Sequence, residues 1–274
     1  MGLGSFKALG GAYAVARAVE RGGRAQTFCC ASAGNHGLSV AAGARAFGSQ
    51  AVIFLSRTVP AAFEARIRDL GVRVVRFGEN YEESMKEATA RSKKEGWILI
   101  SDSSWPGYLD IPAEVMEGYT VIAWERARSF RTEKDWPTHV FLQAGVGGLA
   151  AAITHHIRSA WEGRPRIVVV EPDRAPCLGA SVRAGRPVLV EGAASNMGRL
   201  DCKEPSVLAL EVLSEMADEF LTVTDQSASE AEAFMAKLGL PTTPSGAAGL
   251  AAAFHYPFEA TARPMFLLTE GPLL

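Results

Sequence analysis

The chain has 274 residues, 48% of them hydrophobic and 21% charged, with a net charge of -2. That is enough apolar material for one large or two modest domains; it leaves no basic footprint for nucleic acid and no apolar run of the roughly 18 residues that a membrane span needs. Residues 1–20 lack the basic start and apolar block of a signal peptide, and the cysteines (Cys29, Cys30, Cys177 and Cys202) lack metal-knuckle spacing, which suits a reducing cytoplasm.

In chain order, an Ala-rich helix is expected over 8–21, ended by Gly22-Gly23. Strand and helix patterns then alternate. Strands read at 25–31, 51–55, 72–77 and 97–100, and helices at 34–47, 60–70 and 80–95, with Gly71 and Gly96 as stops. A helix is expected over 112–130, and the polar stretch 131–136 is the expected domain boundary. The second half repeats the grammar, with strands at 139–142, 167–170, 220–223 and 265–268. Helices are expected from the glycine loop to Trp161, at 227–238 and at 245–255, with helical pieces near 175–184 and 206–216. Short apolar strands separated by helices predict two open parallel-sheet α/β units with a ligand cleft between them.

Four stretches carry candidate chemistry. Lys7 opens the first helix among Gly4, Ser5 and Gly10. Desolvation and the positive helix end both favour its neutral amine, and neutral amines form Schiff bases with carbonyl cofactors, pyridoxal phosphate (PLP) above all. The alternative is a helix-start lysine with no chemistry. Ser32-Ala33-Gly34-Asn35-His36-Gly37 joins a strand to a helix; the Asn35 amide and the helix-start N–H groups can hold a ring oxygen or a carboxylate, or the stretch is only a turn with a cap.

Gly145-Val146-Gly147-Gly148-Leu149-Ala150 is a glycine loop at a helix start, suited to a phosphate. With Glu171 about 20 residues on, it also fits a dinucleotide fingerprint, so a nicotinamide-binding reading stays open. Asp102 stands alone among hydroxyls and aromatics in Ser101–Tyr108, a polar loop or a site. Near the end, Ser245 and Thr269 offer hydroxyls that could cap a helix or meet a ring nitrogen. The histidines show no metal-ligand spacing, so no metal site is expected.

FK near the start, SAGNHG, a GVGG loop and a late hydroxyl occur here in one order, together with DSSWPGY (102–108), PTHVFLQAGVGGLAAA (137–152), MGRLDCKEPS (197–206) and LLTEG (267–271). The chain thereby resembles, over essentially its whole length, the fold-type-II PLP enzymes of the tryptophan-synthase-β-like superfamily, and within them the diaminopropionate ammonia-lyase branch. The resemblance implies α,β-elimination on a small amino acid, most simply 2,3-diaminopropionate to pyruvate and ammonia, with a serine or threonine dehydratase or a non-catalytic relative as alternatives. It implies a homodimer with PLP in the cleft between a larger cofactor-binding domain (1–20 and 112–274) and a smaller α/β domain (21–111).

Residue by residue, Lys7 matches the cofactor lysine and Asn35 the GNHG asparagine that contacts the cofactor's 3′ oxygen. Gly145, Val146, Gly147, Gly148 and Leu149 match the phosphate loop, and Asp102 an active-site aspartate. Thr269 is the choice for the hydroxyl near the pyridine nitrogen, with Ser245 second. Ser32, Ala33, Gly34 and His36 are expected at the substrate. Ala33 stands where some lyases have an aspartate used for D substrates, so L is expected over D. The chain starts six residues before Lys7, so a truncated N-terminus is expected.

Overall fold

The structure, a computed structural model, describes residues 2–272 apart from Ala33. The chain forms two compact units, residues 1–102 with 108–118, and residues 103–107 with 119–274.

In the first unit the order is α1 (Lys7–Gly22), β1 (Thr27–Ala31), α2 (Asn35–Phe47), β2 (Gln50–Leu55), α3 (Ala61–Arg68), β3 (Arg73–Arg76), α4 (Tyr81–Glu95) and β4 (Ile98–Leu99). The strands form one parallel sheet, β3-β2-β1-β4, in which Cys29 stands between Val52 and Leu99. β1 reads Thr-Phe-Cys-Cys-Ala and is buried after its first residue, as a strand covered on both faces must be. Both cysteines act there as small apolar groups, with burial pushing the Cys29 thiol up to about 12. α2 and α4 end on left-handed glycines, Gly48 and Gly96, where a residue with a Cβ would be strained.

α1 lies close on α2: a Cβ at Gly43 would come within 2.9 Å of the Ala12 Cα. Ser39 Oγ also accepts from the Ala12 N–H at 3.1 Å. This packing puts α1 in the first unit, whereas the division read from sequence set residues 1–20 with the second half. The boundary expected at 131–136 is likewise displaced. α5 (Asp110–Glu133) runs unbroken through most of that stretch, and the chain passes between units over residues 102–119.

The second unit holds β5 (His139–Gln143), α6 (Gly148–Ala160), β6 (Arg166–Pro172), α7 (Cys177–Ala184), α8 (Val207–Met216), β7 (Glu219–Val223), α9 (Asp225–Lys237), α10 (Pro244–Phe254) and β8 (Pro264–Phe266). Its sheet is also parallel, in the order β7-β6-β5-β8. Phe141, Val168 and Val170 are fully buried against Ala247, Ala248 and Ala251 of α10. Each such large side chain contributes ~1.5–3 kcal/mol by leaving water. The small residues of α10 serve this contact, since a Cβ at Gly249 would sit 3.2 Å from the Phe141 carbonyl oxygen. No described helix is long and apolar enough to cross a membrane. In both units the singled-out loops follow the C-terminal ends of strands, the edge at which parallel sheets bind ligands.

Candidate active site

The lysine group belongs to the first unit. Lys7 is the first residue of α1, which has no side-chain cap; the Ser5 Oγ accepts its backbone N–H at 3.3 Å. The ammonium is not in the wholly apolar setting expected from sequence. Its Nζ donates to Asp102 Oδ2, and the two side chains, 23% and 21% exposed, form an ion pair. Burial alone would raise the Asp102 pKa; positive charge on the His36 ring, when it is protonated, and on the Lys7 ammonium outweighs it and holds the carboxyl below the usual carboxylate range.

Backbone and phenol hold Asp102 in place. Ile100 N–H donates to the Cys29 carbonyl at 2.7 Å, fixing the chain just before the loop. Tyr108 then closes the loop, its O–H donating to the Leu99 carbonyl (2.7 Å) and its oxygen accepting from the Ser101 N–H (3.1 Å). Sequence reading passed over Tyr108, although it lies in the loop already singled out.

At the start of α2, Gly34 is the N-cap in extended backbone with no side-chain cap. Ser32 Oγ accepts from the Gly34 N–H at 3.2 Å, and the first intrahelical bond there runs from Leu38 N–H to the Gly34 carbonyl. The His36 and Gly37 N–H groups precede that bond and so face the helix entrance, a position that favours an anion. Asn35 is half-buried beside them. Ala33 lies outside the described residues. The His36 side chain is not available to a substrate as expected: it is 5% exposed, turned inward, with Nε2 3.0 Å from the Ile100 carbonyl oxygen.

The second unit carries the glycine loop. Gly147 has φ 101° and ψ -7°, a left-handed turn, and leads into α6 with no side-chain cap. The first N–H groups of that helix are therefore presented to whatever lies at its start. Three anchors set the loop. Ser206 N–H donates to the Val146 carbonyl at 3.0 Å, and Cys177 Sγ lies 3.6 Å from the Gly145 carbonyl. Gly145 itself packs so tightly that a Cβ would meet Cys202 Sγ at 2.9 Å. Ser206 is fixed by Ser104, with the two hydroxyls 2.7 Å apart. Ser104 lies in the Ser101–Tyr108 loop and Ser206 ends the 197–206 stretch, both noted in the sequence, but neither serine has a role assigned there, because nothing local signals a partner 102 residues away.

Glu171 has a structural task that excludes the ribose contact of a dinucleotide site. It is fully buried, and its carboxylate accepts from the Leu178 and Gly179 N–H groups at 2.7 and 2.8 Å, capping α7. Burial pushes its pKa up to about 7 despite those bonds.

Thr269 lies in the loop after β8 and is buried. Gln143, at the end of β5, sends its Nε2 to the Gly246 and Leu267 carbonyls, both at 2.9 Å, and to Thr269 Oγ1 at 3.2 Å. Two carbonyls fix which end of the amide is nitrogen, and an amide nitrogen only donates. The Thr269 hydroxyl proton must therefore point elsewhere. Ser245 Oγ accepts from the Arg199 N–H at 3.1 Å. Gln143 was unforeseen, since a glutamine at a strand end carries no local signal of three such partners.

Each unit thus carries a feature of its own: in the first, an amine beside a carboxylate, which suits a carbonyl group; in the second, an uncapped helix entered through a left-handed glycine, which suits an anion. The chain belongs to the family described as "Pyridoxal-phosphate dependent enzyme", whose family model matches residues 1–264, and its cofactor is pyridoxal phosphate. It is 33% identical over 284 residues to the diaminopropionate ammonia-lyase of Escherichia coli K12, covering 93% of this chain and 71% of that one. A crystal structure of the Escherichia coli diaminopropionate ammonia lyase in complex with an aminoacrylate-PLP azomethine reaction intermediate superposes with a TM-score of 0.86 at 31% identity, covering 98% of this chain and 77% of that one. An L-threonine ammonia-lyase of Thermotoga maritima is 27% identical over 255 residues, 92% of this chain and 60% of the relative.

Proposed function

We propose that the chain eliminates the β-amine of 2,3-diaminopropionate, giving one pyruvate and two ammonia molecules per turnover with uptake of one water. The Lys7–Asp102 pair is the observation that carries this reading: a mobile amine and a fixed carboxylate meet half-buried, 95 residues apart in sequence. When bound, PLP supplies the electron sink that makes a Cα proton removable.

Lys7 holds the cofactor and its Nζ takes the proton from the substrate Cα. Asp102 keeps the substrate's β-nitrogen as an ammonium until it departs, since an amine leaves poorly unless protonated. The N–H groups at the start of α2, with Ser32, Gly34 and Asn35, receive the substrate carboxylate and the cofactor's 3′ oxygen. The loop from Gly145 to Leu149 receives the phosphate through backbone N–H groups. Thr269 would offer its hydroxyl as a hydrogen-bond donor to the ring nitrogen of the cofactor, a partner that leaves that nitrogen unprotonated and favours loss of the β-group over transamination. Four free thiols, three of them buried, accord with a cytoplasmic location. We extend the reading to a homodimer, which light scattering of the purified chain would check.

The test is product stoichiometry with peptide mapping. Borohydride reduction of the loaded protein should leave the pyridoxyl label on Lys7. Diaminopropionate should give two ammonia per pyruvate. Label on another lysine would remove Lys7 from its role, and turnover of serine or threonine alone, with one ammonia per keto acid, would move the chain to the dehydratases.

A further inference from the structure

His36 is buried to 5% exposure yet uses only one of its two ring nitrogens. Nε2 lies 3.0 Å from the Ile100 carbonyl oxygen, which can only accept, so Nε2 carries the hydrogen. Nδ1 then has no hydrogen-bond partner. It faces Asp102 Oδ2 at 4.0 Å, about 1 Å beyond a hydrogen bond. The same oxygen, Oδ2, takes the Lys7 ammonium. One carboxylate oxygen thus has two candidate cations, and only one of them is seated on it.

We infer that His36 is a positioning residue for Asp102, holding a second, vacant proton site that takes over as counter-charge when the Lys7 amine is withdrawn. With Lys7 seated, the ammonium and carboxylate cancel, and an imidazole that carries its hydrogen on Nε2 alone adds no charge to the trio. If Lys7 gives up its proton to engage a carbonyl group, Asp102 loses its cation inside a half-buried site. A proton on Nδ1 restores the balance: an Nζ–H bond is broken, an Nδ1–H bond is formed, and the trio again sums to zero. Asp102 stays ionised throughout, which is the state that steadies a departing ammonium.

The surroundings leave few other groups to do this. From β1, Cys30 is raised well above the usual thiol range, by burial first and by Cys29 and Asp102 after it, and stays neutral. From the loop, Tyr108 is raised by burial and its phenol is tied to Leu99 and Ser101. On α3, Glu64 is bound to Arg68 and Arg76. β2 carries no titratable side chain. Among the described residues, Lys7 on α1 is the only charged competitor of His36 for Asp102.

The inference deepens the assignment of Asp102 above, and its test does not depend on that assignment. The probe is NMR titration of the His36 imidazole in the 274-residue chain with labelled histidine, without PLP and after PLP loading, in the parent, Lys7→Ala, Asp102→Asn and the double variant. Lys7→Ala should raise the His36 pKa by about one unit or more, the scale of gaining an opposite charge at this distance. Asp102→Asn should lower it, and the double variant should lose the rise. PLP loading of the parent should reproduce the rise. An unchanged value in Lys7→Ala, or a rise that survives in the double variant, overturns the inference. If PLP does not bind at all, the cofactor assignment fails while the Lys7→Ala comparison still decides the role of His36.

Discussion

The two units handle charge by opposite means. In the first, formal charges on side chains meet, Lys7 with Asp102 and His36 in reserve. In the second, the glycine loop presents N–H groups of a helix start, shaped by a left-handed Gly147 and locked by Ser206 and Cys177. On the proposed function a proton is moved at the first, where titratable groups stand. An anion is only held at the second, which backbone dipoles can do without a proton to lose. The difference teaches that the first unit should be sensitive to pH and to single charge changes. The second should be sensitive to shape.

The largest test breaks the charged side outright. On the proposed function Lys7→Ala removes both cofactor attachment and the proton acceptor, and should lower kcat/KM for diaminopropionate by about 10⁴-fold, the upper end of the range for a lost acid–base group. Circular dichroism should stay native, because Lys7 lies at the surface of its unit, not in its core. A loss of fold would make Lys7 structural.

Asp102→Asn should lower kcat/KM by roughly 10²-fold while the variant still binds PLP at Lys7. Activity on serine, if any, should fall less. The substitution also has a pH signature. The folded Asp102 is held below the usual carboxylate range, so its contribution to stability is complete above an unfolded value of about 3.9 and is lost as pH falls through the lower folded value. Melting curves of the parent should therefore drop on acidification more than those of Asp102→Asn. Equal acid sensitivity in the two proteins would separate Asp102 from the ion pair.

On the shape side, Gly147→Ala should weaken PLP binding by about tenfold, the ratio that ~1.4 kcal/mol gives. It should lower Tm as well, because the new Cβ would sit 3.0 Å from the Ala209 Cβ and 3.1 Å from Leu178 at φ 101°. Unchanged PLP titration would make the loop a plain turn. The smallest effect is expected for Ser206→Ala, which takes the acceptor from the Ser104 N–H and the partner from its hydroxyl. About 1–3 kcal/mol of stability should go, with PLP affinity reduced less than by Gly147→Ala and no change in the pH profile. A shifted pH profile would blur the division between the two halves.

The local framework of the candidate site was legible in sequence because its signals are local: the glycine loop does lie between an apolar strand and a small-residue helix, and Lys7 does open α1. Where reading failed, one residue's role depended on a distant partner. His36 reads as a polar residue at a site but turns inward because the Ile100 carbonyl, 64 residues away, offers it an acceptor. Glu171 reads as half of a dinucleotide fingerprint, yet the start of α7 returns over it and takes both carboxylate oxygens.

By itself, then, the sequence determined the run of strands and helices, their glycine stops, the two parallel sheets and the residue types from which a PLP site is made. Apolar runs, caps and turns act over a few residues, so spacing alone carries them. Only the tertiary structure decided that α1 joins the first unit through Gly43 and Ala12, that Lys7 meets Asp102, and that Gln143 Nε2 reaches Thr269 Oγ1. Those pairings are set by how helices seat on sheets after each crossover. Electrostatic and hydrogen-bond energies depend on distance in space, which separation along the chain does not reveal.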